Sequence, residues 1–153
     1  MKTWKDEEKA ALLHALADTL ECAPLLFDDK GRIVLDVDDD MEAVLFNDND
    51  EESGRSALVL CVLIGQPDDT DAEKLYSLLT GNYLWGYTGG ASLAIDKETG
   101  ILVLQKAFFP GTDPEDFIHD LSQVIGAARY WRSRVQASSF QQHLSSEPCL
   151  LRV

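Results

Sequence analysis

From Trp4 to Leu20 the leucines Leu12, Leu13, Leu16 and Leu20 recur at helical spacing, with Ala10, Ala11, Ala15 and Ala17 beside them. That period puts the leucines on one side of a helix. Pro24 is expected to end it, because proline cannot donate the next backbone hydrogen bond. A short apolar piece, Leu25 to Phe27, then leads through the turn-forming Asp28-Asp29-Lys30-Gly31 into a strand-like stretch from Ile33 to Val37. A second turn at Asp38-Asp39-Asp40 precedes Met41 to Phe46, and the polar run Asn47 to Ser56 reads as a loop. Ala57 to Ile64 is apolar without alternation and bounded by Gly65 and Pro67, the pattern of a strand buried on both faces.

A second helix is predicted from Asp71 to Gly81, with Leu75, Leu78 and Leu79 on one side and Asn82 near its end. Strands at Ala91 to Ile95 and Ile101 to Phe108 flank Asp96-Lys97-Glu98-Thr99-Gly100, whose glycine can take the positive φ of a tight hairpin. The last helix opens at Asp113-Pro114-Glu115-Asp116, with proline at the first helical position and acids at the positive end of the dipole. Phe117, Leu121, Val124, Ile125, Ala128 and Val135 form its apolar stripe. The tail from Gln136 is rich in Ser and Gln and expected to be mobile. The chain therefore reads as one domain, 1–135, and a polar tail, 136–153. The order α-β-β-β-α-β-β-α lacks a regular strand–helix alternation, which argues for an α+β fold with an antiparallel sheet and three helices.

Composition narrows the function. A length of 153 residues with 45% hydrophobic content suits a single folded domain. With 27 acidic against 13 basic residues the net charge is −14. A surface of that sign repels phosphate backbones and anionic membranes, so nucleic acid is an unfavourable partner. The longest apolar run, Ala57 to Ile64, falls far short of the roughly 20 residues that span a bilayer, so no membrane insertion is expected. Cys22, Cys61 and Cys149 are odd in number, far apart and without a CxxC pair, which fits a reducing cytoplasm. The N-terminal MKTWKDEEK has no apolar core of a signal peptide.

Candidate chemistry is sparse. Between Asp28 and Glu52 lie eleven acids and two bases, a local net of −9. A calcium loop beginning at Asp36 would have Met41 where glycine is needed and Asn47 where the bidentate glutamate belongs. One beginning at Asp48 would have Ser53 and Val59 in those places. Both registers fail, and a solvated acidic surface is the better reading. Gly90-Ala91-Ser92-Leu93-Ala94 approaches a nucleophile elbow but ends in alanine and opens a strand. His14, His119 and His143 have no second ligand at useful spacing. Gly86, Gly89 and Gly90 are not followed by the Lys-Ser/Thr of a phosphate loop. Neither a catalytic residue nor a metal or cofactor is expected.

What remains is surface. If a three-residue turn spans Asp38 to Asp40, Ile33, Leu35, Val37, Met41, Ala43 and Leu45 share one face, leaving Val34, Val44 and Phe46 on the other among Asp36 and Glu42. A two-residue turn mixes the faces differently. In either register the strand Ala43 to Phe46 is apolar on both sides. Either other elements cover both faces, or an acid-rimmed apolar patch awaits another chain. Tyr83, Leu84, Trp85 and Tyr87 pose the same choice between a core flap and a subunit interface.

From Leu75 to Val135 the chain resembles the class I type III secretion chaperones, the Tir-chaperone-like family. The resemblance rests on Leu78-Leu79 and Asn82 ending the second helix, Gly90 opening the strand Ser92-Leu93-Ala94-Ile95-Asp96, and the hairpin Gly100. Leu102-Val103-Leu104-Gln105 and a last helix ending Ala128-Arg129-Tyr130-Trp131-Arg132 complete it. The match extends more loosely to residue 4; the loop at Asn47 to Ser56 and the tail after Gln136 depart from it. The resemblance implies a cytoplasmic, non-enzymatic homodimer that binds the N-terminal region of a secreted effector, keeps it non-globular and presents it for secretion. It also implies a dimer contact built on Leu75, Leu78, Leu79, Tyr83 and Trp85. Effector binding is expected at Leu26, Val34, Val44 and Phe46. The competing readings are a related binding or regulatory module outside secretion, and a small metal-dependent enzyme built on the acidic hairpin.

Overall fold

A computed structural model of the chain describes residues 3–38, 40–67 and 72–137. Along them run α1 (Asp6–Leu20), β1 (Arg32–Asp38), β2 (Met41–Asp50), β3 (Arg55–Gly65), α2 (Ala72–Gly81), β4 (Ser92–Ile95), β5 (Leu102–Phe108) and α3 (Pro114–Ala137). The strands form one antiparallel sheet in the order β1-β2-β3-β5-β4, so β1 and β4 are its edges. This is the α+β order expected from the sequence pattern. Gln136 and Ala137, read as the start of the polar tail, continue α3; the tail from residue 138, with His143 and Cys149, and Asp39 and Asp71 lie outside the described residues.

Helix α1 does not wait for Pro24. It stops at Leu20, where Glu21 turns left-handed with φ 52° and the Cys22 N–H reaches back to the Ala17 carbonyl at 3.0 Å. Helix α3 begins as its residue pattern indicates. The Asp113 carboxylate accepts the Glu115 N–H at 2.9 Å, filling one of the unpaired donors of the first turn.

Helices α1 and α3 give the main core Leu12, Leu16, Phe117, Val124, Ala128 and Trp131. The sheet meets them with Ile33, Leu35, Met41, Ala43, Leu45, Leu58, Leu60, Val62 and Leu104. Full burial of one side chain of this size is worth roughly 1.5–3 kcal/mol. The open question of the first hairpin is thereby answered. Ile33 lies opposite Leu45, Val34 opposite Val44 and Leu35 opposite Ala43, with an irregularity between Asp36 and Asp38. The face carrying Ile33, Leu35, Met41, Ala43 and Leu45 packs on the main core, with Val37 against it. On the reverse face Val44, Leu63, Ile101 and Val103 make a second, smaller cluster, with Phe46 and Ala94 partly buried against it. Strand β3 lies at the centre of the sheet and is buried on both faces, as its unbroken apolar run indicates.

The polar run Asn47 to Ser56 is not a loop. Strands β2 and β3 continue through it as a ribbon, with Asp48 opposite Ala57 and Asp50 opposite Arg55. Its cross-strand contacts are polar: Arg55 to Asp48 at 2.9 Å and the Ser56 hydroxyl to Asn49 Oδ1 at 2.7 Å. The Asp50 carboxylate closes the turn by accepting the Ser53 hydroxyl at 2.6 Å. The ribbon reaches past the pairing of β1, which ends at Arg32 opposite Phe46, so hydrophobic alternation is not required of it.

The segment joining α2 to β4 is fastened to α3. Trp131 Nε1 donates to the Tyr87 carbonyl at 2.7 Å, and Gly81 lies so close to the Trp131 ring that a Cβ has no room. Gly89 has φ +62°, and a Cβ there would stand 2.5 Å from the Gln123 carbonyl oxygen. Gly89→Ala should therefore cost roughly 1–3 kcal/mol of stability through strain and crowding. Gly86→Ala, where nothing lies within 4 Å of the added carbon, should be nearly neutral. Urea unfolding of the two variants checks the contrast, and equal losses would contradict it.

Cys61 lies in the reverse face, and its burial, aided by nearby Asp96, pushes the thiol up to about 11. Cys22 is exposed. Iodoacetamide at pH 8 should modify Cys22 and spare Cys61 until the protein unfolds. Peptide mapping by mass spectrometry reads the result, and equal labelling in the folded state would contradict it.

Candidate functional site

Backbone groups of an antiparallel strand face its neighbour and the open side at alternate residues. The Gly31 carbonyl accepts the Asn47 N–H at 2.8 Å, so Gly31, Ile33 and Leu35 turn toward β2. Arg32, Val34 and Asp36 then turn outward. Arg32 is already engaged: its carbonyl accepts the Asp28 N–H and its own N–H donates to Asp28 Oδ1, both at 2.9 Å. The outward N–H and C=O of Val34 and Asp36 have no partner among the described residues. They form a short open stretch of ladder at the β1 edge.

Apolar side chains border this stretch. Val34 is 43% exposed, and Phe46 is half-buried on the same face of the sheet. Leu26 stands out of the connection between α1 and β1 with 81% exposure, while its neighbours Leu25 and Phe27 pack on the main core. Val44 does not belong with them at the surface. It is 0% exposed, because Leu63, Ile101 and Val103 enclose it in the reverse-face cluster. A direct contact between Val44 and a partner is therefore corrected to support from beneath. Asp36 and Glu42, opposite one another on β1 and β2, supply the acidic rim.

Two ion pairs hold this edge hairpin to α3. Asp38 receives both Arg129 Nε at 2.9 Å and Nη2 at 3.1 Å, and Asp40 receives Arg132 Nη2 at 3.1 Å. Arg132 is buried, and its Nε and Nη1 find no hydrogen-bond partner among the described residues. The hydrogen bond from Arg129 holds the Asp38 carboxyl below its ordinary value of 3.8, against an opposing contribution from desolvation.

The second surface follows α2. Leu79, Tyr83 and Trp85 are each more than half exposed, as are Tyr76, Leu84 and Tyr87. Leu75 and Leu78 are half-buried, Leu78 against the main core, so the predicted contact set divides between support and surface. Leu84 and Trp85 have φ of 52° and 55°, left-handed values that cost about 1–3 kcal/mol each in ordinary residues. Sequence periodicity passed over Tyr76, which takes the outer side of α2 while Leu78 faces inward. The described histidines lie apart from both surfaces; His14 approaches Asp18 at 3.4 Å on α1. No helix among the described residues is long and apolar enough to cross a membrane.

An open sheet edge bordered by apolar side chains, with exposed aromatics elsewhere, defines a scaffold for binding polypeptide chains. The chain belongs to the Tir chaperone protein (CesT) family, whose model matches residues 11–132. It is thus a type III secretion chaperone, a class that acts by binding and not by catalysis. Solved structures share the fold. The ExsC–ExsE complex matches with a TM-score of 0.72 at 19% identity, over 90% of this chain and 100% of that one. The HopA1–SchA chaperone–effector complex matches with 0.66 at 22%, over 84% and 98%. The ExoU–SpcU heterodimer of the Pseudomonas aeruginosa type III secretion system matches with 0.64 at 16%, over 82% and 98%. A search of curated protein sequences finds no match.

Because folding lowers the Asp38 pKa, its pair with Arg129 stabilises the hairpin fully above the ordinary carboxylate value. That contribution is lost as pH falls through the lower folded value. A carboxyl NMR titration should place the Asp38 midpoint below 3.8, and Arg129→Gln should move it upward. An unmoved midpoint would show that the pair does not set it.

Proposed function

We propose that this chain works as a homodimer in the bacterial cytoplasm and holds the N-terminal segment of a secreted effector, extended and non-globular, along β1. The open backbone at Val34 and Asp36 carries this reading. An added strand would gain main-chain hydrogen bonds whatever its sequence, at roughly 0.5–1.5 kcal/mol net each. Alternate side chains would then seat beside Val34, Phe46 and Leu26 and fix the register. The likeness of the fold to that of a chaperone–effector complex supports chain capture as the task. Such capture needs no bond to form or break.

The proposed dimer contact is the surface formed by Leu79, Tyr83 and Trp85, with Tyr76 and Leu84 beside them and Leu75 and Leu78 beneath. Large aromatics left in water on one segment are characteristic of an interface centre. The net charge of −14 keeps a molecule with two apolar surfaces soluble.

Val34→Pro removes an outward N–H and should weaken capture of an effector's N-terminal segment by at least about tenfold, at unchanged circular dichroism. Phe46→Asp should act in the same direction. Calorimetry on the purified pair measures both, and undiminished binding in Val34→Pro would place the segment elsewhere. Tyr83→Asp together with Leu79→Asp should halve the mass seen by light scattering. A wild-type mass equal to one chain would refute the dimer.

A further inference from the structure

Several acids around the β1–β2 hairpin are neutralised by an arginine. Asp28 holds Arg32 at 2.9 Å, Asp48 holds Arg55 at 2.9 Å, and Asp38 and Asp40 hold Arg129 and Arg132 at 2.9 and 3.1 Å. Asp36 and Glu42 differ: neither makes an ion pair among the described residues. The two stand opposite one another on β1 and β2, Asp36 exposed and Glu42 half-buried. Because Asp36 turns its backbone outward, they form a pair without hydrogen bonds between its members, the class in which side chains approach most closely. Like charges directly opposite one another destabilise a sheet. The hairpin thus carries an uncompensated negative pair at a residue whose backbone is open to another strand. Strand alternation puts exposed Val34 on the same face, two residues away. With Val37, Asp38 and Asp40, Asp36 also lines a recess of about 870 Å3 beside this edge, which has room for a long side chain. Asp38 and Asp40 already have their arginines, so Asp36 is left to meet what enters.

We propose that Asp36 and Glu42 are specificity-determining residues that select a lysine or arginine in the captured segment, two residues from the apolar side chain seated beside Val34. A strand added to β1 brings alternate side chains beside Val34 and Asp36 on one face. A basic side chain at the second position relieves the repulsion between the carboxylates and fixes the register, whereas an acidic one meets both charges and is rejected. The inference rests on the strand-addition reading above and deepens it by naming the chemistry of the segment. Backbone bonds supply the hold, and the carboxylate pair supplies the choice.

The test uses twelve-residue peptides of alternating threonine and valine, capped at both ends, with the central valine replaced by lysine, glutamine or glutamate. Titration calorimetry on the wild type should rank them in that order, with about tenfold or more between lysine and glutamate. Asp36→Asn combined with Glu42→Gln removes a repulsion and so does not threaten the fold. It should bring the lysine and glutamate peptides within about twofold of each other while the glutamine peptide still binds. Glu51→Gln combined with Glu52→Gln removes the same charge from the exposed turn of the ribbon and should keep the wild-type ranking. Equal binding of all the peptides by the wild type overturns the role of Asp36 and Glu42. A lysine preference that survives in the first variant, or disappears in the second, also overturns it, because the general acidic field then makes the choice. A glutamine peptide that binds the wild type and not Val34→Pro upholds the strand-addition reading whatever the ranking. No peptide on the wild type, or a glutamine peptide retained by Val34→Pro, overturns that reading and this inference with it.

Discussion

An open antiparallel sheet has two outer strands, and every outward N–H and C=O on them must be paired, covered or left to water. Most of this molecule answers that requirement. At β4 the Asn82 side chain takes both groups of Leu93. At the start of β1, Asp28 takes both groups of Arg32. Between Val34 and Asp36 the requirement is left unmet, beside exposed Val34 and Leu26. Helices α1 and α3 cover one face of the sheet, and the clasps from Arg129 and Arg132 hold the β1–β2 hairpin in place. The open stretch is therefore presented by a rigid frame.

The two candidate surfaces differ in kind. The β1 edge offers unpaired backbone with a few apolar neighbours, which suits a segment read mainly through its main chain. The region after α2 offers large side chains, Tyr83, Leu84 and Trp85, on a backbone with two left-handed residues. Its outer groups are aromatic bulk and its base is fixed to α3 through Trp131. That combination suits a permanent apolar contact better than a transient one. The acidic excess of the chain opposes non-specific clustering of either.

Much of the architecture was legible in the residue pattern. The stripe from Phe117 to Val135 on α3, Leu12, Leu13 and Leu16 of α1 and the unbroken apolar run of β3 lie in or against the core, whereas Leu20, at the last position of α1, is exposed. The hairpin faces followed once the register was known. The polar ribbon from Asn47 to Ser56 was not legible, because its pairing rests on Arg55–Asp48 and Ser56–Asn49 contacts that leave no hydrophobic alternation. The last residue of α1, Leu20, was legible, but its stop was assigned to Pro24 and is made by Glu21, an ordinary residue in the left-handed turn. At the site, Leu26, Val34 and Phe46 could be singled out as surplus apolar residues, but the burial of Val44 depends on Ile101 and Val103, distant in sequence. The pairing of Asn82 with Leu93 depends on Gly81 tolerating Trp131, and only the tertiary fold shows that contact.

The central claim is that the unpaired backbone of β1 is where another polypeptide is held. Amide hydrogen exchange, resolved at Val34 and Asp36 in the free protein and in its complex with the effector's N-terminal segment, tests it most directly. Both amides should exchange quickly when free and slow at least about tenfold in the complex. Fast exchange at both positions in a saturated complex, with protection appearing elsewhere, would contradict it.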